Sequence, residues 1–493
     1  MIYVVTVLGY LGLLVFVALR RARNVSTQDD FMVAGRSVPW QILVGTLVCT
    51  WIGSGSLFGG AGRGFREGFS AIWLSAGAWV GIAVVFFLAA RVRRIAEYTV
   101  PDLLERRYHP AARLLGTTAI AIAYLTIAGY QFVGGGRLLA ILFPGLDPDV
   151  GMTIVAVLVT VFAVSAGMLS VISLDVVNGI IIIVSILIAA PLAFAGAGGF
   201  EGLTSALPET HFTITGRLGM SAAIGLFLPS MLLLLGESGM YQKFYAARSG
   251  AAARKAVLGM LAGVILLEVL IVATAVFAAA GYWNDPAFRS AGGFDARATE
   301  TVLLEFARHQ LPAFAGCLLL AGAVAIIFST ATTFLLVPST GMARDIYQRF
   351  VRPEADSGAV IRFQRFAMVG LSGLALVITT RFESILDMAL YAYTMVGAAV
   401  TPALLAAFLW RRASPIGGVI SISAGIVTTL IFGVLNSAGF ERIGFLPTDY
   451  DYVIYPAAVA SVSGLIIGSL LTAPAPPEQV EPFTGGGNSD AGS

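Results

Sequence analysis

Four hydroxyls fall within five positions of one apolar run: Ser329, Thr330, Thr332 and Thr333, in Ala325-Ile326-Ile327-Phe328-Ser329-Thr330-Ala331-Thr332-Thr333. Spacings of three and four put Ser329, Thr332 and Thr333 on one face of a helix, with Thr330 at its edge. Inside a bilayer such groups need protein partners, because lipid supplies none. Each hydroxyl can bond back to a carbonyl one turn earlier. Alternatively, the group can act as hard oxygen ligands for a hard cation that has shed part of its water. Four hydroxyls packed this closely favour the cation. The helix that must carry them runs from about Pro312 to Tyr347.

The composition places that helix in a membrane. Of 493 residues, 57% are hydrophobic and 12% charged, about half the charge of a soluble domain. The net charge of +2 gives no reason to expect nucleic acid. Cys49 and Cys317 both lie in apolar runs, so neither a disulfide framework nor a thiolate metal site is expected. His109, His211 and His309 are widely separated in loops or at helix ends and offer no haem or catalytic-metal pair.

Hydropathy gives thirteen spans of about 20 residues: 2–19, 41–60, 69–90, 114–142, 150–168, 171–198, 216–243, 256–281, 312–343, 361–380, 385–409, 415–435 and 452–472. No basic segment precedes the first, and Arg20, Arg21 and Arg23 follow it, which reads as a retained helix rather than a cleaved signal. With the N-terminus outside, cytoplasmic segments hold 21 of the 30 Lys and Arg, Lys243 among them. The positive-inside rule therefore predicts N-terminus out and C-terminus in. The tail from Pro474 to Ser493 is rich in Pro, Gly and Glu and reads as disordered.

Two spans are interrupted. The second contains Ile52-Gly53-Ser54-Gly55-Ser56 followed by Gly59, Gly60 and Gly62, and the seventh contains Gly236-Glu237-Ser238-Gly239. The breaks lie five spans apart, so a repeat of five helices must insert upside down relative to its partner. Glycines alone also suit close helix packing. Paired breaks in corresponding helices of inverted halves instead point to a transporter with a site at the midplane, where unwound carbonyls can ligate a cation.

The chain resembles the sodium:solute symporter family. The resemblance rests on Ala34-Gly35-Arg36-Ser37-Val38-Pro39-Trp40, on Tyr98-Thr99-Val100-Pro101-Asp102-Leu103-Leu104-Glu105-Arg106-Arg107-Tyr108 and on Tyr241-Gln242-Lys243-Phe244-Tyr245-Ala246-Ala247-Arg248-Ser249. Met342-Ala343-Arg344-Asp345-Ile346-Tyr347 and Leu409-Trp410-Arg411-Arg412-Ala413 complete it, in that order along the chain. It implies an all-α, LeuT-like five-plus-five inverted repeat with discontinuous first and sixth core helices. The first helix and loop would occupy 1–40, the repeats 41–198 and 199–410, two further helices 411–473, and the tail 474–493. A bacterial inner-membrane symporter is implied, with sodium as coupling ion and no organic cofactor, nucleic acid or obligatory protein partner.

By that resemblance the main sodium site uses carbonyls of Cys49, Ile52 and Ile326 with hydroxyls of Ser329 and Thr330. A second site, present in some members, would use Asp175, Ser329, Thr332 and Thr333. The family's aromatic-Thr-Asp is Ser173-Leu174-Asp175 here. Asp175 also stands out by itself: a carboxylate within a span costs roughly 2.5–3.5 kcal/mol on insertion scales, unless it caps the helix that starts nearby. Arg137, in Gly134-Gly135-Gly136-Arg137, resembles an Arg common in the family and reads as pairing with a helix end or an acid.

The solute site is expected between the breaks, lined by Trp51, Gly53, Ser56, Ala71, Ser75, Ala128, Glu237, Ser238 and Tyr241, each with an alternative role in helix packing. Glu237 at a break suits an amine or a hydroxyl-rich solute, or a carboxylate if it is protonated. Ala128 offers no side-chain handle where sugar- and sialic-acid-carrying relatives place one. Glu268 lies mid-span and reads as a protonated carboxyl, a packing hydrogen bond or a relay. No enzyme constellation appears in the spans. A proton-coupled symporter using Asp175, Glu237 or Glu268 is the nearest alternative. A transporter-like sensor would need a signalling domain larger than the 20-residue tail.

Overall fold

The computed structural model describes residues 2–22, 32–95, 98–291 and 293–484. Its principal helices are α1 (Ile2–Ala22), α2 (Trp40–Trp51), α3 (Ala61–Glu67), α4 (Ile72–Ile95), α5 (Val100–Arg107), α6 (Pro110–Leu142) and α7 (Pro148–Gly196). They continue with α8 (Gly219–Gly236), α9 (Ser238–Ala246), α10 (Gly250–Tyr282), α11 (Ala313–Gly341) and α12 (Ser357–Thr379). The last are α13 (Ile385–Ala399), α14 (Thr401–Leu409), α15 (Pro415–Ser437), α16 (Ile454–Leu471) and α17 (Pro477–Thr484). Eleven stretches among the described residues are long and apolar enough to cross a membrane, and Ile2–Leu14 and Trp40–Trp51 are shorter apolar helices.

Local chemistry sets many of the boundaries. Asp147 caps α7, Ser249 caps α10, Asp356 caps α12, and Ser384 and Ser414 cap α13 and α15. Thr99 and Asp102 form a reciprocal capping box at the start of α5. Gly167, at φ +72° and ψ +168°, interrupts α7, so the fifth and sixth expected spans are two helices meeting at one extended glycine.

The interruptions divide two further crossings. Between α2 and α3 lie Ile52, Gly53, Ser54 and a π-helical turn over Gly55–Gly60. Between α8 and α9 only Glu237 is non-helical, at ψ +102°. The second crossing continues to Glu67, seven residues beyond the expected end at 60. Hydropathy missed this because Arg63, Arg66 and Glu67 are polar, yet Arg66 is held inside by Thr299. The tail also needs correction. Pro477–Thr484 is helical, because Phe483 is 1% exposed and packs edge-on against Phe408. The rest of the expected disordered tail, residues 485–493, lies outside the described residues.

Burial identifies the centre. The most apolar window is 89% buried in Ile385–Leu409 and 83% in Ala313–Val351, but only 28% in Ser357–Thr379. Thus α11 and α13 form the middle and α12 faces lipid. The hydroxyl-bearing α11 packs on α6, α7 and α2, while α10 packs on α2, α4 and α7.

Candidate ion and solute site

At the end of α2 the backbone of Ile52 turns to ψ +97°, releasing the carbonyls of the last turn from the helical ladder. Thr330 Oγ1, on α11, lies 3.3 Å from Cys49 O and 3.3 Å from Ile52 O. Ile326 sits one turn earlier on α11 and is buried. Glycine is required at 53: a Cβ there would lie 2.8 Å from Gln131 Nε2 and 3.1 Å from Thr330 Cγ2. Gln131 on α6 props the break open, its Oε1 accepting from Ser54 N at 2.9 Å and Ser54 Oγ at 2.6 Å. This assembles hard oxygen donors where two helices cross, a set suited to an alkali cation.

Asp175 lies beside this junction, fully buried. Ser329 Oγ donates to its Oδ1 at 2.5 Å and Thr46 donates to its Oδ2. The proton of Ser329 is therefore directed at Asp175, which leaves the lone pairs of its oxygen free. The carboxylate faces an ammonium: Lys243 Nζ is 3.5 Å from Oδ2, donates to Thr46 O at 2.9 Å and also bonds Thr50. Lys243 was expected among the cytoplasmic loop charges, and here the structure corrects the sequence. The entire turn of α9 is buried, and the ammonium is drawn to Asp175. Asp175 is engaged with α2, α9 and α11 rather than capping a helix start. Of the other two hydroxyls, Thr332 bonds back to Phe328 O at 2.6 Å, and Thr333 has no hydrogen-bond partner among the described residues.

Three of the residues expected at the solute surround one narrow cavity beside the break. Trp51, Ser56 and Ser75 line it with Gly55, Glu268 and Tyr393. Glu268 Oε1 accepts from Trp51 Nε1 and from Ser56 Oγ, each at 2.9 Å, and Ser75 also bonds this carboxylate. Gly53 lies on the other side of the break, against Gln131 and Thr330. Ala71, in the turn before α4, and Ala128, on α6, are buried but are not among the lining residues. The second break forms a separate cluster. Glu237 caps α9 by accepting from Gly239 N at 2.9 Å and from Met240 N, and it also accepts from Tyr124 OH. Ser238 is buried, and Tyr241 OH donates to Leu235 O at 2.8 Å. A larger cavity of about 570 Å³ lies away from both breaks, lined by residues of α6, α12, α13 and α15 with Arg381 and Tyr450.

Residues 31–425 match the model of the sodium:solute symporter family. The chain belongs to the sodium:solute symporter family. It is 25% identical to the high-affinity proline transporter PutP of Bacillus subtilis over 91% of this chain and 94% of that protein. It is 23% identical to the sodium/pantothenate symporter of Escherichia coli, over 92% of each. A substrate-bound, outward-open Na+-coupled sialic acid symporter matches in fold, with a TM-score of 0.76 at 17% identity, covering 97% of this chain and 99% of that one. MhsT in complex with L-phenylalanine matches with a TM-score of 0.53 at 12% identity, over 87% and 97%. The fold is therefore LeuT-like, and membership of the family makes the protein a multi-pass transporter rather than an enzyme.

Within this symporter, Arg137 pairs with Glu300, which also accepts from Ile385 N at 3.1 Å and Leu386 N at 3.0 Å at the start of α13. At the far end of α11, Arg113 joins Asp102, Asp345 and Glu105, and Arg349 joins Glu105. Burial pushes the Glu105 carboxyl up, but hydrogen bonds from Arg113 and Arg349 outweigh it and hold the group below its usual range. Gln131, Lys243 and Tyr393 were missed in the sequence. Lys243 and Gln131 carried a readable signal, a polar side chain within or bordering a span. For Tyr393, within an apolar run, there was none.

Proposed function

We propose that the protein is a sodium-coupled symporter of a small polar organic solute, in a bacterial plasma membrane, with its N-terminus outside and C-terminus inside. The observation that carries this reading is the approach of Thr330 to the freed carbonyls of Cys49 and Ile52. A sodium ion would replace the two hydroxyl contacts of Thr330, with Ile326 O and Ser329 Oγ completing the set. Asp175 acts as a positioning residue, turning the Ser329 proton away from the ion. Lys243 is its countercharge, so we assign one sodium to this junction and no ligand role to Thr332 or Thr333.

Coupling follows from geometry. Sodium would draw the broken segment onto α11 and so shape the cavity of Trp51, Ser56 and Ser75 on the other side of the same break. Solute and ion thus stabilise the same arrangement, and each raises the affinity for the other. An ion moving down about 100 mV gains about 2.3 kcal/mol from the field, before its concentration gradient counts.

The test is thermal unfolding of purified protein against a solute panel that includes proline and pantothenate, the solutes named for its relatives. At least one solute should raise the melting temperature in sodium and lose that effect in potassium at equal ionic strength. Stabilisation indifferent to sodium and dependent on pH would refute the reading in favour of proton coupling.

A further inference from the structure

Six carboxylates among the described residues are buried: Asp102, Asp175, Glu237, Glu268, Glu300 and Asp345. Four of them face a cation. Asp102 and Asp345 share Arg113, Asp175 faces Lys243, and Glu300 faces Arg137. Glu237 lies against the amide N–H groups at the start of α9, where the helix dipole supplies positive potential. Glu268 has neither. It is 3% exposed, and its partners are neutral: the indole of Trp51 and the hydroxyls of Ser56 and Ser75.

A buried carboxylate without a countercharge is costly, and the cost is removed when a cation reaches it. Glu268 is also the acid that lines the cavity beside the broken helix, a closed space of about 10 Å³ that must widen to admit a solute. Trp51 and Tyr393 line the same space, their ring centroids 5.9 Å apart and planes inclined by 31°. Aromatic rings beside a carboxylate suit an ammonium group, attracted both by charge and by the ring quadrupole. No Lys, Arg or His is among the described lining residues, so a solute whose only charge is negative finds no ionic partner among them.

We propose that Glu268 is the anionic recognition group of the solute site, and that the solute carries a protonated or quaternary amine. The inference rests on the symporter reading and deepens it. It favours an amino acid or betaine over pantothenate or a neutral polyol.

The experiment uses the full chain in detergent with sodium, and thermal unfolding as readout. The probes are L-proline, glycine betaine, cyclopentanecarboxylate (proline's ring and carboxylate without the amine), pantothenate and myo-inositol. At least one of the two amine-bearing probes should stabilise the protein, and the three without an amine should not. In Glu268→Gln the affinity for the stabilising amine should fall about 100-fold, as expected for a lost charge-assisted contact, and Glu268→Asp should recover part of it. Stabilisation by any probe lacking an amine, by neither amine, or an unchanged affinity in Glu268→Gln would overturn the proposal. If Glu268→Gln does not fold, the wild-type panel decides alone. Failure of the symporter reading would look different, as indifference of the wild-type protein to sodium.

Discussion

Asp175 and Lys243 are a buried ion pair: both side chains are 0% exposed. Such pairs contribute little net stability, because desolvation offsets the attraction, but removing one partner strands the other. Lys243→Met should therefore destabilise the protein by about 3–5 kcal/mol, measured by chemical unfolding in potassium buffer. Adding Asp175→Asn should recover most of the loss, since the remaining groups are neutral and can hydrogen-bond Thr46 and Ser329. A double variant as unstable as Lys243→Met would show that packing, not charge, is what Lys243 provides. At this scale the sequence was partly legible. Asp175 and the hydroxyls on α11 announce themselves as polar groups in apolar runs. Lys243 reads as a loop charge because it stands at the last position of the expected span 216–243, only four positions before Ala247, where α9 gives way to extended backbone. Its place at the border of a span is visible in the sequence, but its partner is not, because the acid that draws it inward lies 68 positions earlier.

The break between α2 and α3 is the element on which both the proposed ion site and the proposed solute site depend. Its glycines were readable, and so was its pairing with the break before α9. What holds it open was not: Gln131 comes from α6 and satisfies both the amide and the hydroxyl of Ser54. Gly53→Ala should lower the apparent sodium affinity about tenfold, equivalent to about 1.4 kcal/mol. The added Cβ would press on Gln131 and on the methyl group of Thr330 at once. The check is sodium titration of thermal stability, and an unchanged midpoint would mean that Thr330 does not need this close approach. The length of α3 was hidden for the opposite reason. Its arginines look like loop residues until partners elsewhere in the fold, Thr299 for Arg66 and Asp451 for Arg63, neutralise their cost.

Across the whole molecule, the proposed ion site sits between two charged clusters. One ties α11's far end to α5 and α6 through Arg113, and the other ties α6 to the start of α13 through Arg137 and Glu300. Hydropathy and the two glycine-rich breaks make the inverted-repeat architecture legible in the sequence. The opposing residues in each cluster are more than 150 positions apart except Arg113 with Asp102 and Glu105, so spacing alone left those long-range pairings open. The central claim is that sodium binds where the broken α2–α3 segment crosses α11. Thermal unfolding of the wild type and of the Ser329→Ala, Thr330→Ala double variant, in sodium and in potassium at equal ionic strength, tests it most directly. Sodium should raise the melting temperature of the wild type and leave that of the double variant where potassium leaves it. An equal sodium-dependent rise in both proteins would contradict the assignment.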